Sequence, residues 1–372
     1  MVYLELTESN RFDIDILEEV SSEDMAWTQL QYSRREVNEA GVRLLCAIRG
    51  LPHANELEHI FDVVDNFRAA HAFPLNTTQN FLRSHANSID RRSIVAQRLK
   101  RFSSIWNKLD RFEKMELWDM QDIGGCRAVV HSLNDVKRLV DAYKSSSIRH
   151  RLAHEDDYIQ QPRDSGYRSR HLVYRYVSDR NEIYNGLKVE IQIRTPLQHA
   201  WATTVETVDA FTKQALKSSR GRSDWERFFQ LMGTEMAFDE DTPPVPGTPT
   251  DRRVLRQELK ACADELKVVT ILAGFTTALR VTKYASAKDK DAAYFLLSLD
   301  NVAEHLSLTG YNRRELRQAS KAYAKKEKQI RDKKGTDAVL VSVDSIRNLR
   351  SAYPNYFADT RMFVQKLEEA LK

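Results

Sequence analysis

The chain of 372 residues has little cysteine: only Cys46, Cys126 and Cys262, with no Cys-x-x-Cys pair among them. This excludes a disulfide-stapled scaffold and a zinc ribbon, and it is typical of reduced thiols in a cytoplasm. Long apolar runs are missing too, because the best candidate, 268–279, is shorter than the ~18–20 residues that a membrane span needs. The start, MVYLELTESNRFD, has acids where a secretion signal has a basic and then an apolar segment. We therefore expect a cytoplasmic protein that does not contact a membrane.

Proline is concentrated in one place, since four of the nine prolines lie in residues 239–251, DEDTPPVPGTPTD. At that density proline can continue neither a helix nor a central strand. The segment predicts a linker between a domain over 1–238 and a second domain over 252–372. The chain length, at about 150 residues per domain, also favours two domains.

The net charge of +4 is small, but one stretch of the chain has a local excess of positive charge. Residues 91–114 contain eight lysines and arginines against two acidic residues. Clusters of this kind suit polyphosphate or nucleic acid, although most basic helix faces are only solvated.

Periodicity predicts both helices and strands. Helices are predicted over 33–48, 55–70, 93–112, 136–143, 196–211, 254–281, 313–331 and 356–371. Strands are predicted over 126–130, 149–158, 171–177, 187–194, 295–299 and 338–343. Because strands and helices interleave, we expect an α/β (α+β) fold with a mixed sheet flanked by helices, plus a smaller C-terminal α/β domain.

The predicted strand 187–194 alternates strictly between apolar and polar residues. One face is apolar, and the other presents Lys188, Glu190, Gln192 and Arg194. An ordinary explanation is a half-solvated strand at the edge of the sheet, with Glu190 paired to Lys188 or Arg194. Asp122, in QDIGGCRAVV, stands at the start of another strand beside two glycines. If Asp122 and Glu190 met on neighbouring strands, they would form a magnesium site that substrate phosphates complete.

The segment DYIQQPRDSGYRSRH, residues 157–171, reads as a loop. Tyr167 could stack on a base, with Arg163, Arg168 and Arg170 nearby, or it could simply cover the edge of a core.

Four segments together resemble the synthetase domain of RelA/SpoT proteins. They are RLKRFSSIWNK (98–108), QDIGGCR (121–127), DYIQQPRDSGYRSRH (157–171) and VEIQIRT (189–195). The resemblance covers roughly residues 80–215, and the helix QHAWATTVE (198–206) is similar as well. It implies a nucleotidyltransferase-like fold. It also implies a pyrophosphokinase that transfers the β,γ-pyrophosphate of ATP to the ribose 3′-hydroxyl of GDP or GTP, making the alarmone (p)ppGpp.

The resemblance also implies roles for single residues. Asp122 and Glu190 would be catalytic and would hold Mg²⁺, with Glu190 acting at the acceptor hydroxyl. ATP would be bound by Arg98, Lys100, Ser104, Lys108 and Arg127. The acceptor would be bound by Tyr167, Arg163, His171, Gln192, Arg194 and His199. The family often has Lys at position 163 and Asn or His at position 199, so both positions bear on the identity of the acceptor.

The sequence leaves other functions open. Some relatives pyrophosphorylate the 3′ end of tRNA as toxins, and others make adenosine alarmones. A non-catalytic nucleotide-sensing module is a further alternative. None of the ten histidines precedes an aspartate, so we expect no hydrolase domain of the His-Asp type and a synthetase-only member. The C-terminal region matches no motif, and we expect it to be a regulatory cap, a partner sensor or a homo-oligomer interface.

Overall fold

The structure is a computed structural model. It describes residues 27–48, 57–112, 114–212, 219–266, 268, 272, 294–300, 305–330, 336–342 and 361–372. The helices are α1 (Arg34–Ile48), α2 (Leu57–Ala70), α3 (Ala72–Ile89), α4 (Phe102–Arg111), α5 (Leu133–Ser145), α6 (Pro196–Thr212), α7 (Ser219–Asp239), α8 (Arg252–Glu265), α9 (Leu316–Ile330) and α10 (Arg361–Leu371). The strands are β1 (Ile94–Leu99), β2 (Gly124–Val129), β3 (Arg151–Asp157), β4 (Arg170–Arg175), β5 (Lys188–Arg194), β6 (Tyr294–Asp300), β7 (His305–Tyr311) and β8 (Thr336–Ser342).

The strands form one mixed sheet in the order β3-β4-β5-β2-β1-β8-β6-β7. The β2–β5 pair is parallel, and the other neighbouring pairs are antiparallel. The predicted mixed sheet with flanking helices is thus confirmed. None of the described helices is long and apolar enough to cross a membrane.

The alternating strand lies inside the sheet and not at its edge. β5 pairs with β4 on one side and β2 on the other, so both of its edges are hydrogen-bonded. Val189, Ile191 and Ile193 are buried in a core with α3 and α5. This places the polar residues of β5 together on the opposite face, which the alternation predicts.

One predicted element is wrong. Residues 93–112 are not a continuous helix, because β1 occupies the first part and only α4 is helical. Val95 and Ala96 are buried, and β1 pairs along its whole length with β2. The charged residues resemble an exposed helix face in sequence, but the buried β-pairing determines the conformation of Ile94–Leu99. Arg98 therefore lies on a strand.

The C-terminal elements extend the same sheet and the same helical layer. The predicted strands 295–299 and 338–343 correspond to β6 and β8, and β8 pairs with β1 through Gln97 and Arg98. Phe363 of α10 and Leu259 of α8 pack with Phe228 of α7 in one buried cluster. Position 343, residues 356–360 of the last predicted helix, and most of 267–281 lie outside the described residues. The division of the chain at 239–251 stays a prediction.

Candidate active site

The sheet register gathers the predicted site residues on one face. Gly125 of β2 stands opposite Arg98 of β1 and also opposite Glu190 of β5. Arg127 stands opposite Gln192, two residues further along. Partners in register present their side chains to the same face of a sheet, so these residues share one face. Because Gly125 has no side chain, it leaves open space between Arg98 and Glu190.

Asp122 lies two residues before the start of β2 and accepts hydrogen bonds from two lysines. Lys100 Nζ lies 2.6 Å from one carboxylate oxygen, and Lys108 Nζ lies 2.9 Å from the other. Burial alone would raise the pKa of Asp122, but the two ammonium groups outweigh it and lower the pKa to about 2. Burial lowers the pKa of Lys100, and Asp122 opposes that effect. The site thus holds an ionised aspartate between two cations.

Glu190 belongs to a closed ring of hydrogen bonds. Its carboxylate lies 3.0 Å from His171 Nδ1 and accepts from Gln192 Nε2 at 2.7 Å. Arg194 donates to Gln192 Oε1 at 2.6 Å and to the Tyr167 hydroxyl at 2.6 Å. The Tyr167 hydroxyl closes the ring at 2.7 Å from His171 Nε2. Neither Lys188 nor Arg194 is the partner of Glu190, so the ordinary explanation of the strand pattern is wrong.

The environment of Glu190 favours its ionised form. Burial would raise the pKa of this carboxyl, but the hydrogen bonds that it accepts from His171 and from the Gln192 amide bring it below the ordinary value. The charge of Asp122 acts in the opposite direction, which shows that the two carboxylates are electrostatically close. At neutral pH the group is a carboxylate that can accept a proton.

Tyr167 follows a glycine that fixes the path of its loop. Gly166 has φ of +94°, and a Cβ there would lie 3.0 Å from Phe229 O and 3.0 Å from Trp201 Cζ2. Only glycine fits this left-handed conformation against α6 and α7. The Tyr167 ring is half-buried and lies edge-on to Trp201, with a centroid separation of 6.4 Å.

Arg163 is turned toward a second tyrosine in the same loop. Its guanidinium lies 4.3 Å from the centre of the Tyr158 ring and donates to the Tyr158 hydroxyl at 2.5 Å. The Tyr158 ring is 6.0 Å from that of Tyr167 and 5.1 Å from that of His171. Tyr158 is thus an aromatic neighbour of the site that the sequence reasoning did not single out.

A half-buried carboxylate on α6 was also missed. Burial would raise the pKa of Glu206, but the arginines around it, Arg98 and Arg127 first, lower it below the ordinary value. The carboxylate therefore faces the arginine end of the polar face. The signal in the sequence is the helical spacing of His199, Thr203 and Glu206, which places the three on one side of α6.

Among the predicted site residues, Ser104 and His199 lie outside the hydrogen-bond ring of Glu190 and the ion pairs of Asp122. Ser104 is half-buried on α4, one turn before Lys108, and so belongs to the lysine side. His199 is buried on α6 and lines a cavity of about 550 Å³ together with Val129, Pro196 and Met362. The contacts of the Glu190 ring do not include His199, whose role toward an acceptor stays a prediction.

The residues that could hold a metal are two carboxylates. Within the described ranges, no group of three or more His, Cys, Asp or Glu side chains is arranged for a metal ion. Asp122 and Glu190 remain. Both are hard oxygen donors, and the two lysines that contact Asp122 favour phosphate. This donor set fits Mg²⁺ of the kind that takes its other ligands from water and substrate phosphates.

The two carboxylates, the lysines and the arginines gathered around this sheet face suit a phosphorylated ligand. Residues 97–212 match the family model described as "Region found in RelA / SpoT proteins". This part of the chain is similar to RelA/SpoT proteins, as the resemblance predicts.

Two curated proteins of Bacillus subtilis (strain 168) are similar to the chain. The GTP pyrophosphokinase YwaC is 34% identical over 111 residues, which is 28% of this chain and 52% of that protein. The GTP pyrophosphokinase YjbM is 36% identical over 114 residues, which is 29% of this chain and 52% of that protein. The chain thus spans about half the length of these relatives.

Among solved structures, a GTP pyrophosphokinase family protein from Streptococcus pneumoniae is similar to the chain. It is 28% identical, with a TM-score of 0.37, and the match covers 45% of this chain and 88% of that one.

Proposed function

We propose that the chain is an enzyme that transfers the β,γ-pyrophosphate of ATP to the ribose 3′-hydroxyl of GDP or GTP, making (p)ppGpp. The observation that carries the proposal is a pair of carboxylates that act electrostatically on each other in a region that matches the RelA/SpoT family model: Asp122, which Lys100 and Lys108 contact, and Glu190 on β5. The names of the two curated relatives, both GTP pyrophosphokinases, support the choice of a guanine nucleotide.

ATP, the donor of the pyrophosphate, would lie over β1 and α4. The ammonium groups of Lys100 and Lys108 both reach the same aspartate, so both could reach one phosphate chain placed there. Arg98 and Arg127 share the sheet face, where two guanidinium planes could enclose the adenine. Mg²⁺, when bound by Asp122 and Glu190, would neutralise charge on the phosphates.

The acceptor would lie over β4 and β5. Its base would stack on Tyr167, and Glu190 would accept the proton of its 3′-hydroxyl. The new bond joins the 3′-oxygen to the β-phosphorus of ATP, and the bond between that phosphorus and the oxygen bridging to the α-phosphate breaks. AMP is the leaving group, and Lys100 and Lys108 balance the charge that develops on the phosphates.

The 3′ end of tRNA offers the same kind of ribose hydroxyl, so the test must separate it from free nucleotides. Purified protein is given Mg²⁺ and γ-labelled ATP with GDP, GTP, ATP alone or deacylated tRNA in parallel. We expect the label on GDP or GTP, and no label with Glu190→Gln or Asp122→Asn, both of which keep the fold by circular dichroism. Label on tRNA alone would contradict the acceptor assignment, and no transfer to any acceptor would contradict the enzyme assignment.

A further inference from the structure

The ring around Glu190 has a direction that the donor chemistry fixes. Arg194 has only N–H donors, and an ionised Glu190 has only acceptors, so the ring starts at one and ends at the other. One arm runs from Arg194 through Gln192 to Glu190 in two hydrogen bonds.

The second arm runs through an aromatic hydroxyl and an imidazole. In a neutral imidazole Nδ1 carries the hydrogen, since the ionised Glu190 beside it only accepts, so the Tyr167 hydroxyl accepts from Arg194 and donates to His171 Nε2. His171 Nε2 is then an acceptor, and the imidazole hydrogen stands on Nδ1, which donates to Glu190 at 3.0 Å. A neutral imidazole in this tautomer satisfies every contact of the arm.

The side chains of this arm are held by their surroundings. His171 is buried, and the Tyr158 ring lies edge-on to it at an interplanar angle of 84°. The Arg194 guanidinium carbon lies 5.1 Å from the centre of the Tyr167 ring, and Arg194 is 2% exposed. The Nδ1–H tautomer of His171 is therefore favoured by two partners, the Glu190 carboxylate at Nδ1 and the Tyr167 hydroxyl at Nε2.

We propose that the Tyr167 hydroxyl is a positioning group: it holds His171 in the Nδ1–H tautomer and, through His171, orients the Glu190 carboxylate. The inference deepens the proposed function and rests on it for its kinetic part. It assigns two tasks to Tyr167, since the ring would bind the acceptor while the hydroxyl aligns the carboxylate that receives the proton. The Tyr167 side chain would then both bind the acceptor and align Glu190.

Tyr167→Phe separates the two tasks, because phenylalanine keeps the ring and removes the hydroxyl. We expect kcat to fall by about tenfold, the effect of losing roughly one hydrogen bond, while KM for the acceptor changes less than about threefold. An unchanged kcat would overturn the proposal, and so would a loss confined to KM.

A double-mutant cycle tests whether the hydroxyl acts through His171. In His171→Asn the amide nitrogen can stand where Nδ1 stood and donate to Glu190, but nothing remains for Tyr167 to hold. Adding Tyr167→Phe to His171→Asn should therefore cost no further activity. Full additivity of the two losses would show that the hydroxyl acts by another route and would overturn the proposal.

A measurement without substrate distinguishes this proposal from the proposed function. Nitrogen NMR of histidine-labelled protein reports which imidazole nitrogen carries the hydrogen, and the His171 signal is the one missing in His171→Asn. We expect Nδ1–H in the wild type, loss of that preference in Tyr167→Phe, and the wild-type signal in the matched control Tyr158→Phe. A His171 signal that is the same in Tyr167→Phe and the wild type would overturn the inference. The expected NMR result with no transfer activity would contradict only the proposed function.

Discussion

At the scale of single residues, half-buried ion pairs set the charge of the site. Asp122 keeps its charge because two lysines approach its two oxygens, Lys100 from the position after β1 and Lys108 from α4. The sequence predicts these residues as a set, since motif spacing identifies them. It does not predict that the lysines bond to Asp122, because that depends on how β1 folds beside β2.

The pairing of Asp122 predicts a pH dependence of stability. Its pKa is about 2 in the folded chain against an ordinary value of 3.8, so its contribution is present above pH 3.8 and is lost as the pH falls toward 2. The difference corresponds to about 2 kcal/mol of unfolding free energy. Urea unfolding of wild type and Asp122→Asn between pH 2 and 6 checks this, and the variant should lose less stability on acidification. Parallel curves for the two proteins would contradict it.

At the scale of elements, the register of the paired strands brings residues together that sequence spacing alone does not predict to be neighbours. Alternation in β5 predicts which residues share a face, and the structure confirms that pattern. The hydrogen-bond ring, however, joins Tyr167 and His171 of segment 157–171 to Glu190 of segment 189–195. Only the pairing of β4 with β5, with His171 opposite Gln192, brings them together.

The sequence pattern does not predict the helices α3 and α7, for related reasons. α3 contains threonine, asparagine and serine, which are poor helix formers, yet it buries Thr78 and Gln79 against the protein. α7 begins with Ser219 and contains two glycines, so its pattern is weak until α8 and α10 pack on it. Tertiary packing outweighs local propensity in both.

The loop that carries Tyr167 depends on one glycine. We expect Gly166→Ala to lower the unfolding free energy by roughly 2–3 kcal/mol and to disturb the site, because the methyl group meets Phe229 O and Trp201 in a left-handed conformation. Gly186→Ala is the matched control, since Gly186 has φ of +91° with nothing within 4 Å of a Cβ. It should cost only the backbone strain, about 1 kcal/mol. Equal losses in urea unfolding would contradict the packing argument.

At the scale of the whole molecule, segments from both sides of residues 239–251 share a sheet and a helical core. β8 adds to β1, which carries Arg98, and α10 packs on α6 and α7. Composition predicts a boundary at the prolines, but it carries no information on what packs across that boundary.

This shared core predicts that changes in α10 affect the whole chain. Phe363 is fully buried beside Phe228 and Phe229, so Phe363→Ala should lower the unfolding free energy by about 3–5 kcal/mol in the transition that includes α7. The neighbouring Met362 is 44% exposed, and Met362→Ala should change stability by less than about 0.5 kcal/mol. Chemical unfolding followed by the fluorescence of Trp225, in the same cluster, reports the effect. A transition at Trp225 that Phe363→Ala leaves unchanged would contradict the shared core.

The central claim is that pyrophosphate moves as one unit at the site of Asp122 and Glu190. The most direct measurement is the fate of α-labelled ATP in the presence of the accepting nucleotide, with wild-type protein and with Glu190→Gln. We expect labelled AMP to form in equal amount to the modified acceptor, and we expect Glu190→Gln to form neither. Labelled ADP as the product, or AMP formed equally by Glu190→Gln, would contradict it.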